Sequence, residues 1–113
     1  MKFSFAKTKK IGWKGLKGFI YSDVKDFPAA SAIVFEVTGS HGRVKSRVCN
    51  RIYYVLGGRG EFIIKGKNIP VEKSDVIIVP KNTPYDYRAT KGKLRLFLVH
   101  CPAFDPEAEV KLE

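Results

Sequence analysis

The sequence predicts an all-β fold for this chain of 113 residues. Glycine and proline interrupt it about every ten residues, and the segments between them are rich in valine, isoleucine, phenylalanine and tyrosine. Short strands at such spacing are typical of a β-sandwich or barrel. No segment shows an amphipathic period of about 3.6 residues, so we expect very little helix.

The candidate strands follow one another along the chain, each bounded by turn-forming residues. They are Phe19–Ser22, Ala32–Thr38, Arg51–Leu56, Glu61–Lys65, Ile69–Glu72, Val76–Val79, Tyr85–Arg88 and Leu94–His100. Glycine pairs and proline-bounded segments supply the expected connections. These are hairpin turns at Gly57-Gly58, Gly66-Lys67 and Lys91-Gly92, and a tight loop from Pro80 to Pro84.

The two-residue period of a strand assigns its side chains to opposite faces. In Arg51–Leu56 it places Arg51, Tyr53 and Val55 on one face and the residues between them on the other. If residues 44–48 are also extended, the same period places Lys45 and Arg47 side by side.

Length and composition are those of a single folded domain. The mass is 12.7 kDa and apolar residues make up 44% of the chain, enough for one core. We expect a single domain over residues 1–113. It comprises an N-terminal segment, residues 1–18, that packs on the barrel or on a dimer partner, a barrel over about 19–106, and an acidic tail, residues 105–113.

The lack of a recognisable targeting signal and the small number of cysteines favour a cytoplasmic protein. No apolar run approaches the roughly 20 residues of a spanning helix. The basic N-terminus lacks the apolar stretch of a signal peptide. Cys49 and Cys101 are too few for a disulfide scaffold or a zinc knuckle. The absence of glutamine and the presence of only three asparagines fit a heat-adapted source.

The net charge of +10, from 21 basic and 11 acidic residues, raises the alternative of nucleic-acid binding. Phe3, Phe5 and Trp13 lie among the N-terminal lysines and could stack on bases. Equally, such aromatics pack on the fold while the lysines stay in water. No recognition motif for nucleic acid is present, so we regard this function as an alternative only.

Two segments resemble the cupin superfamily, namely RIYYVLGGRGEF and SDVIIVPKNTPY. The resemblance covers about Phe19 to Pro106. It implies a jelly-roll barrel, also called a double-stranded β-helix. The positions of the first cupin motif fall at Gly39, Lys45, Arg47, Arg51 and Gly58, and those of the second at Ser74, Pro80, Asn82 and Tyr85.

The residues at the metal-ligand positions of the family cannot hold a metal. Those positions carry Lys45, Arg47, Arg51 and Tyr85. A guanidinium has no lone pair to donate, and a protonated lysine has none. We therefore expect neither a metal nor another cofactor.

The histidines and cysteines, the other possible metal donors, do not form an obvious metal site. His100 and Cys101 are adjacent in a strand and point to opposite faces. We interpret His41 and His100 as satisfied or solvated. Cys49 is either a small apolar filler or, beside two arginines, a reactive thiol.

The substituted positions instead predict a ligand site. We expect Lys45, Arg47 and Arg51 to converge in the barrel. Such desolvated cations need partners. One hypothesis supplies an internal carboxylate, Glu36 or Glu61. The other is a small anionic or sugar-like ligand, bound by the set Lys45, Arg47, Arg51, Tyr53, Tyr85 and Tyr87.

An enzyme is a further alternative, because some cupins that lack a metal are isomerases or epimerases. Tyr85 and Lys45 are then a possible acid–base pair, but the sequence assigns no catalytic residue. The resemblance and the exposed edges of a β-sandwich also imply a homodimer.

Overall fold

The structure, a computed structural model, describes residues 1–112. In this range the strands form one curled antiparallel sheet. They are β1 (Lys9–Trp13), β2 (Leu16–Ile20), β3 (Ser31–Val37), β4 (Val44–Ser46), β5 (Asn50–Ile64), β6 (Lys67–Glu72), β7 (Val76–Val79), β8 (Tyr85–Cys101) and β9 (Glu109–Lys111). The described helices are single 3₁₀ turns at Phe5–Lys7 and Pro106–Ala108. The predicted all-β fold with very little helix is confirmed.

Two long strands, β5 and β8, hold the barrel together. They pair antiparallel from Asn50↔Cys101 at one end to Ile64↔Tyr85 at the other. On one side, β8 continues through β3 and β2 to β1. On the other, β5 pairs with β6 and β7, while β4 pairs with the start of β8 and with β9. The sheet therefore curls around a core whose inward face comes mainly from β3, β5 and β8.

The predicted faces of β5 are confirmed by burial. Arg51, Tyr53 and Val55 are buried, whereas Ile52 and Tyr54 face outward and are exposed. The inward residues belong to one continuous core. Its largest fully buried side chains are Tyr53, Tyr85, Tyr87, Phe62, Leu94, Leu96 and Leu98.

Two predicted hairpin turns are wrong. The chain runs straight through Gly57-Gly58 within β5 and through Lys91-Gly92 within β8. Register shifts at Val55/Gly57, Gly57/Arg59 and Arg59/Gly60 mark irregularities in the pairing. A bulge uses glycine at positive φ just as a turn does, so the glycine pair alone could not distinguish them. The hairpin turn predicted at Gly66-Lys67 is present one residue earlier, at Lys65 and Gly66, both of which have positive φ.

Both ends of the chain add strands that the sequence did not predict. β1 pairs with β2 along its whole length, and the Phe5 ring lies 5.2 Å from that of Phe19. In the acidic tail, β9 pairs with β4, and Glu109 turns toward the barrel interior.

No helix within residues 1–112 has the length and apolar character needed to cross a membrane.

Candidate functional site

A cavity of about 660 Å³ lies inside the barrel, a volume suited to a small organic molecule. Strands β1, β2, β3, β5, β8 and β9 contribute to its wall, together with the loop that precedes β4. Most of its lining is apolar. The polar and aromatic residues on it include Trp13, Ser31, His41, Arg43, Arg51, Tyr53, Tyr85, His100 and Glu109.

One wall of the cavity is a cluster of aromatic rings around His41. The imidazole stacks on Tyr87 with ring centroids 4.7 Å apart and lies 6.1 Å from the Tyr85 ring. Its edges meet Trp13 at 5.6 Å and Phe35 at 6.3 Å. These contacts fix the plane of the imidazole, although His41 belongs to a loop.

The protonation of His41 follows from its surroundings. Burial lowers the pKa of His41 below its ordinary value, and the hydrogen bond with Gly42 offsets only part of this effect. The imidazole is therefore neutral at pH 7. Its Nδ1 lies 2.9 Å from the Gly42 carbonyl oxygen, which can only accept, so the proton sits on Nδ1. The other nitrogen, Nε2, then carries the lone pair of a base.

Next to His41 lies a pair of buried tyrosines. The hydroxyl oxygens of Tyr53 and Tyr85 are 2.6 Å apart and share a hydrogen bond. Burial raises the pKa of Tyr53 and raises that of Tyr85 to about 12. Both phenols stay protonated at neutral pH and can donate a proton or a hydrogen bond. Tyr87 is fully buried behind this pair.

The partner of Arg51 differs from the expectation. Arg51 is only 3% exposed and forms an ion pair with Glu109. Its guanidinium also lies 5.5 Å from the centre of the Tyr85 ring. The predicted partners are wrong: Glu36 faces outward and pairs with Lys93 and Arg95, each at 3.5 Å. The second candidate, Glu61, pairs with Arg88.

The three expected cations do not converge. Val44 and Ser46 are the buried residues of β4, so the alternation of the strand turns Lys45 outward. Arg47 follows the end of β4, is exposed, and donates to the backbone carbonyl of Glu107 at 2.7 Å. Of the predicted ligand-binding residues, the cavity brings together Arg51, Tyr53 and Tyr85. Their binding role, with that of Tyr87 behind them, stays a prediction.

The sequence analysis did not assign His41 and His100 to a site, yet both line the cavity. The available signal was the rarity of histidine, because the chain holds only two. The aromatic partners of His41 come from β1, β3 and β8, and no local pattern reveals such long-range contacts. Cys49 is a buried side chain whose thiol donates to the carbonyl oxygens of Pro102 and Ala103. This matches the apolar-filler interpretation.

His100 predicts an acid-sensitive fold. Burial, with a smaller contribution from Arg51, lowers the pKa of His100 from 6.5 to about 3. Between those pH values the His100 imidazole is protonated in the unfolded chain but not in the folded chain. Stability is thus fully present above pH 6.5 and falls by up to about 1.4 kcal/mol per pH unit as the pH drops towards 3. Urea unfolding at pH 7 and pH 4 should show a smaller loss for His100→Leu than for the unmodified chain. Equal losses would contradict this assignment.

The family's metal site does not fit these residues. In residues 1–112 no group of three or more histidine, cysteine, aspartate or glutamate side chains is placed to hold a metal ion. Arg51, at one of the family's ligand positions, engages Glu109 and offers no lone pair. Lys45 and Arg47, at two others, lie outside the cavity lining.

Comparisons with known proteins agree with the barrel. Pac13, a nucleoside dehydratase, has a TM-score of 0.88 at 24% identity, covering 100% of this chain and 91% of that one. A Streptomyces PAC13 variant with a histidine changed to glutamine, solved with uridine, has the same TM-score and identity and covers 99% and 90%. Oxalate decarboxylase from Bacillus subtilis scores 0.84 at 19% identity, covering 97% of this chain and 31% of that one.

KdgF from Halomonas sp. has a TM-score of 0.81 at 17% identity, and the match covers 93% of this chain and 96% of that one. At such identities the likeness establishes the fold alone. No curated protein matches the sequence. Residues 34–100, more than half of the chain, match the cupin domain family. Because the family match covers more than half of the chain and the sheet forms the expected curled β-barrel, the chain belongs to the cupin family.

Proposed function

We propose that this cupin binds a small neutral metabolite of the sugar or nucleoside class and transfers protons on it without a metal. The observation that carries the proposal is the neutral His41 imidazole, held beside the protonated Tyr53–Tyr85 pair on the wall of a 660 Å³ cavity. General acid–base catalysis requires at least one base and one acid whose pKa values differ.

The buried ion pair on the cavity wall supports a neutral ligand over an anionic one. Arg51 is a buried cation of the lining, and Glu109 already neutralises it. An anion at this point would lose its hydration and would also meet the Glu109 carboxylate. A neutral sugar or nucleoside loses less hydration free energy when it enters the cavity. Its apolar face can pack against the rings of Trp13 and Phe35.

The proposed chemistry uses the residues of the aromatic wall. His41 Nε2 takes a proton from a carbon or hydroxyl of the ligand. The Tyr53–Tyr85 pair donates to the oxygen on which charge develops, either a carbonyl or a departing hydroxyl. Isomerisation, epimerisation and elimination of water all follow this scheme. The fold-level likeness to the nucleoside dehydratase Pac13 adds support for the last of these.

Proton transfer is testable without knowledge of the physiological reaction. The protein is incubated in D₂O with nucleosides, with the aldehydes obtained by oxidising nucleosides, and with common aldoses. Mass spectrometry and proton NMR then follow deuterium incorporation and product formation. We expect at least one compound to react, and His41→Gln to slow the reaction by about 10²–10⁴-fold, the usual contribution of a general base.

Tyr54→Phe is the matched control, because Tyr54 lies on the outer face of β5 and its hydroxyl reaches Ser74 rather than the cavity. It should react at the unmodified rate. Compounds that bind but neither exchange nor react would contradict catalysis and leave a binding protein. Equal rates for His41→Gln and the unmodified chain would contradict the assignment of the base.

We also propose that the chain forms a homodimer through an apolar patch on the outside of β5 and β7. The patch consists of Ile52 and Tyr54 with their cross-strand partners Ile78 and Val76. Val76 and Ile78 are 59% and 62% exposed. An uncharged patch is the face on which two copies with a net charge of +10 repel each other least. In residues 1–112, β7 pairs with β5 alone and so offers a second copy an open edge.

Light scattering tests the homodimer. We expect a particle of twice 12.7 kDa at micromolar concentration. Ile78→Lys should convert it to a monomer, because a lysine on the patch adds charge where the copies meet. Ile69→Lys, at an exposed position of β6, should leave the mass unchanged. A 12.7 kDa particle for the unmodified chain across micromolar concentrations would refute the dimer.

A further inference from the structure

The loop that carries His41 forms a β-bulge against β8. The cross-strand pairs on either side of it are Ser40↔Arg88 and Val44↔Tyr85. Between these pairs, residues 41–43 of the loop lie opposite residues 86–87 of β8, so the loop has one residue more than its partner. We call residues 41–43 the bulge. A bulge interrupts the ladder and re-aims side chains, and bulges are common beside active sites.

Gly42, at the centre of the bulge, links a carboxylate to the His41 imidazole. Its φ is +104°, and an added Cβ would meet no atom within 4 Å, so the backbone conformation rather than space favours glycine here. Both polar groups of Gly42 are used. Its carbonyl oxygen accepts from His41 Nδ1 at 2.9 Å, and its N–H donates to Asp86 Oδ1 at 2.9 Å.

Asp86 joins the bulge to β8 through a single carboxylate oxygen. Besides the Gly42 N–H, Oδ1 accepts the Tyr87 N–H at 2.7 Å. The Tyr87 carbonyl oxygen in turn accepts from the His41 N–H at 2.9 Å, and the Tyr87 ring stacks on the imidazole. Hydrogen bonds to an ionised acceptor are stronger than those to a neutral one. Asp86 lies outside the cavity lining, so it acts on the bulge and does not contact a ligand in the cavity.

We propose that Asp86 is the positioning residue of His41, the base of the proposed reaction, an inference that rests on the proposed function. By holding the Gly42 N–H, Asp86 restrains the backbone of this residue and with it the direction of the Gly42 carbonyl. That carbonyl keeps the imidazole proton on Nδ1 and the lone pair on Nε2. If the carbonyl turned away, the ring would return to a mixture of tautomers in which the form protonated on Nε2 predominates, as in free histidine. That form has no lone pair on Nε2.

The tautomer of His41 provides a test that needs no substrate. Nitrogen-15 spectra of the imidazoles at pH 8 distinguish the two tautomers, and His41→Gln assigns the signals because the chain holds only two histidines. We expect the unmodified chain to carry the His41 proton on Nδ1. Asp86→Ala should lower the fraction of this tautomer to about half or less. Asp86→Asn should retain most of it, because the amide oxygen can still accept both N–H groups.

Asp75→Ala is the matched control. Asp75 also accepts a backbone N–H, that of Glu72 at 2.8 Å, but in the connection between β6 and β7. It should leave the His41 signals unchanged. For a compound that the protein converts, Asp86→Ala should lower kcat by about tenfold and change KM by less than about twofold, because the base is misplaced while the ligand contacts remain.

The remaining outcomes separate the two proposals. Melting curves first establish that each variant is folded. If Asp86→Ala does not fold, Asp86→Glu replaces it, since its longer side chain displaces the carboxylate and should also lower the fraction of the Nδ1 tautomer. A tautomer that persists in the folded variant would overturn the positioning role, although the proposed function stands. An equal change in Asp75→Ala would overturn it as well. If the tautomer changes as expected but no compound reacts, the proposed function fails and this inference fails with it.

Discussion

Replacing Arg51 with alanine is expected to destabilise the fold by about 3–5 kcal/mol, the usual cost of breaking a buried ion pair by removing one partner. The Arg51 side chain is almost fully buried, and its partner Glu109 belongs to β9, which pairs with the three-residue strand β4. Without the guanidinium, the Glu109 carboxylate remains mostly buried and unpaired. Equilibrium urea unfolding at pH 7 measures the loss.

Matched substitutions separate this ion pair from general loss of charge. Arg47→Ala removes an exposed arginine four residues away, and Glu36→Gln removes a carboxylate that pairs on the outer surface. Each should cost less than about 1 kcal/mol. The double variant Arg51→Met with Glu109→Leu should recover most of the stability, because well-packed apolar residues replace both buried charges. A larger loss from Glu36→Gln than from Glu109→Gln would show that the pairing is wrong.

The strand faces were predictable because they depend on a local rule. The two-residue period alone placed Arg51, Tyr53 and Val55 on one face of the strand, and the burial of all three agrees. The same rule failed for Lys45 and Arg47, because β4 ends at Ser46 and its inward positions are the even-numbered ones. Spacing along a motif predicts a shared face only where one strand continues through all of its positions.

The partner of Arg51 could not be predicted from the sequence. Glu109 lies 58 residues further along the chain, in a strand of three residues that has little sequence signature of its own. Among several carboxylates, the sequence analysis favoured Glu36 because it lies in a clear strand. That strand does cross the barrel, but Glu36 occupies its outward face. The choice between the carboxylates thus depended on tertiary packing.

The aromatic wall was only partly predictable, for the same reason. The sequence suggested Tyr53, Tyr85 and Tyr87 as neighbours, and the structure brings their rings within 6.3 Å of one another. His41 completes the wall from a loop that contacts the barrel through hydrogen bonds with Tyr87 and Asp86. A histidine in a glycine-flanked loop has no periodicity, so a pattern analysis interprets it as solvated.

The glycine pair in β5 leads to the second large effect, a loss of about 3 kcal/mol or more for Gly58→Ala. Gly58 has φ +77°, a conformation that strains any residue with a Cβ. An added Cβ would overlap the backbone carbonyl oxygen of Lys93 in β8 and lie 3.0 Å from the Leu94 Cα. Backbone on both sides of the contact leaves no flexible side chain to move away. Strain and overlap each contribute about 1–3 kcal/mol.

Gly57→Ala provides the matched control, since a Cβ there meets no atom within 4 Å and the backbone φ is not positive. It should change the stability by less than about 1 kcal/mol. A two-residue hairpin turn of type I′ at Gly57-Gly58 would need positive φ at both positions, and both substitutions would then be damaging. Unfolding free energies of the two variants therefore distinguish the structure from the hairpin that the sequence predicted. Similar losses at both positions would contradict a continuous β5, whereas a large loss at Gly58 alone would support a strand that runs through this glycine pair without a turn.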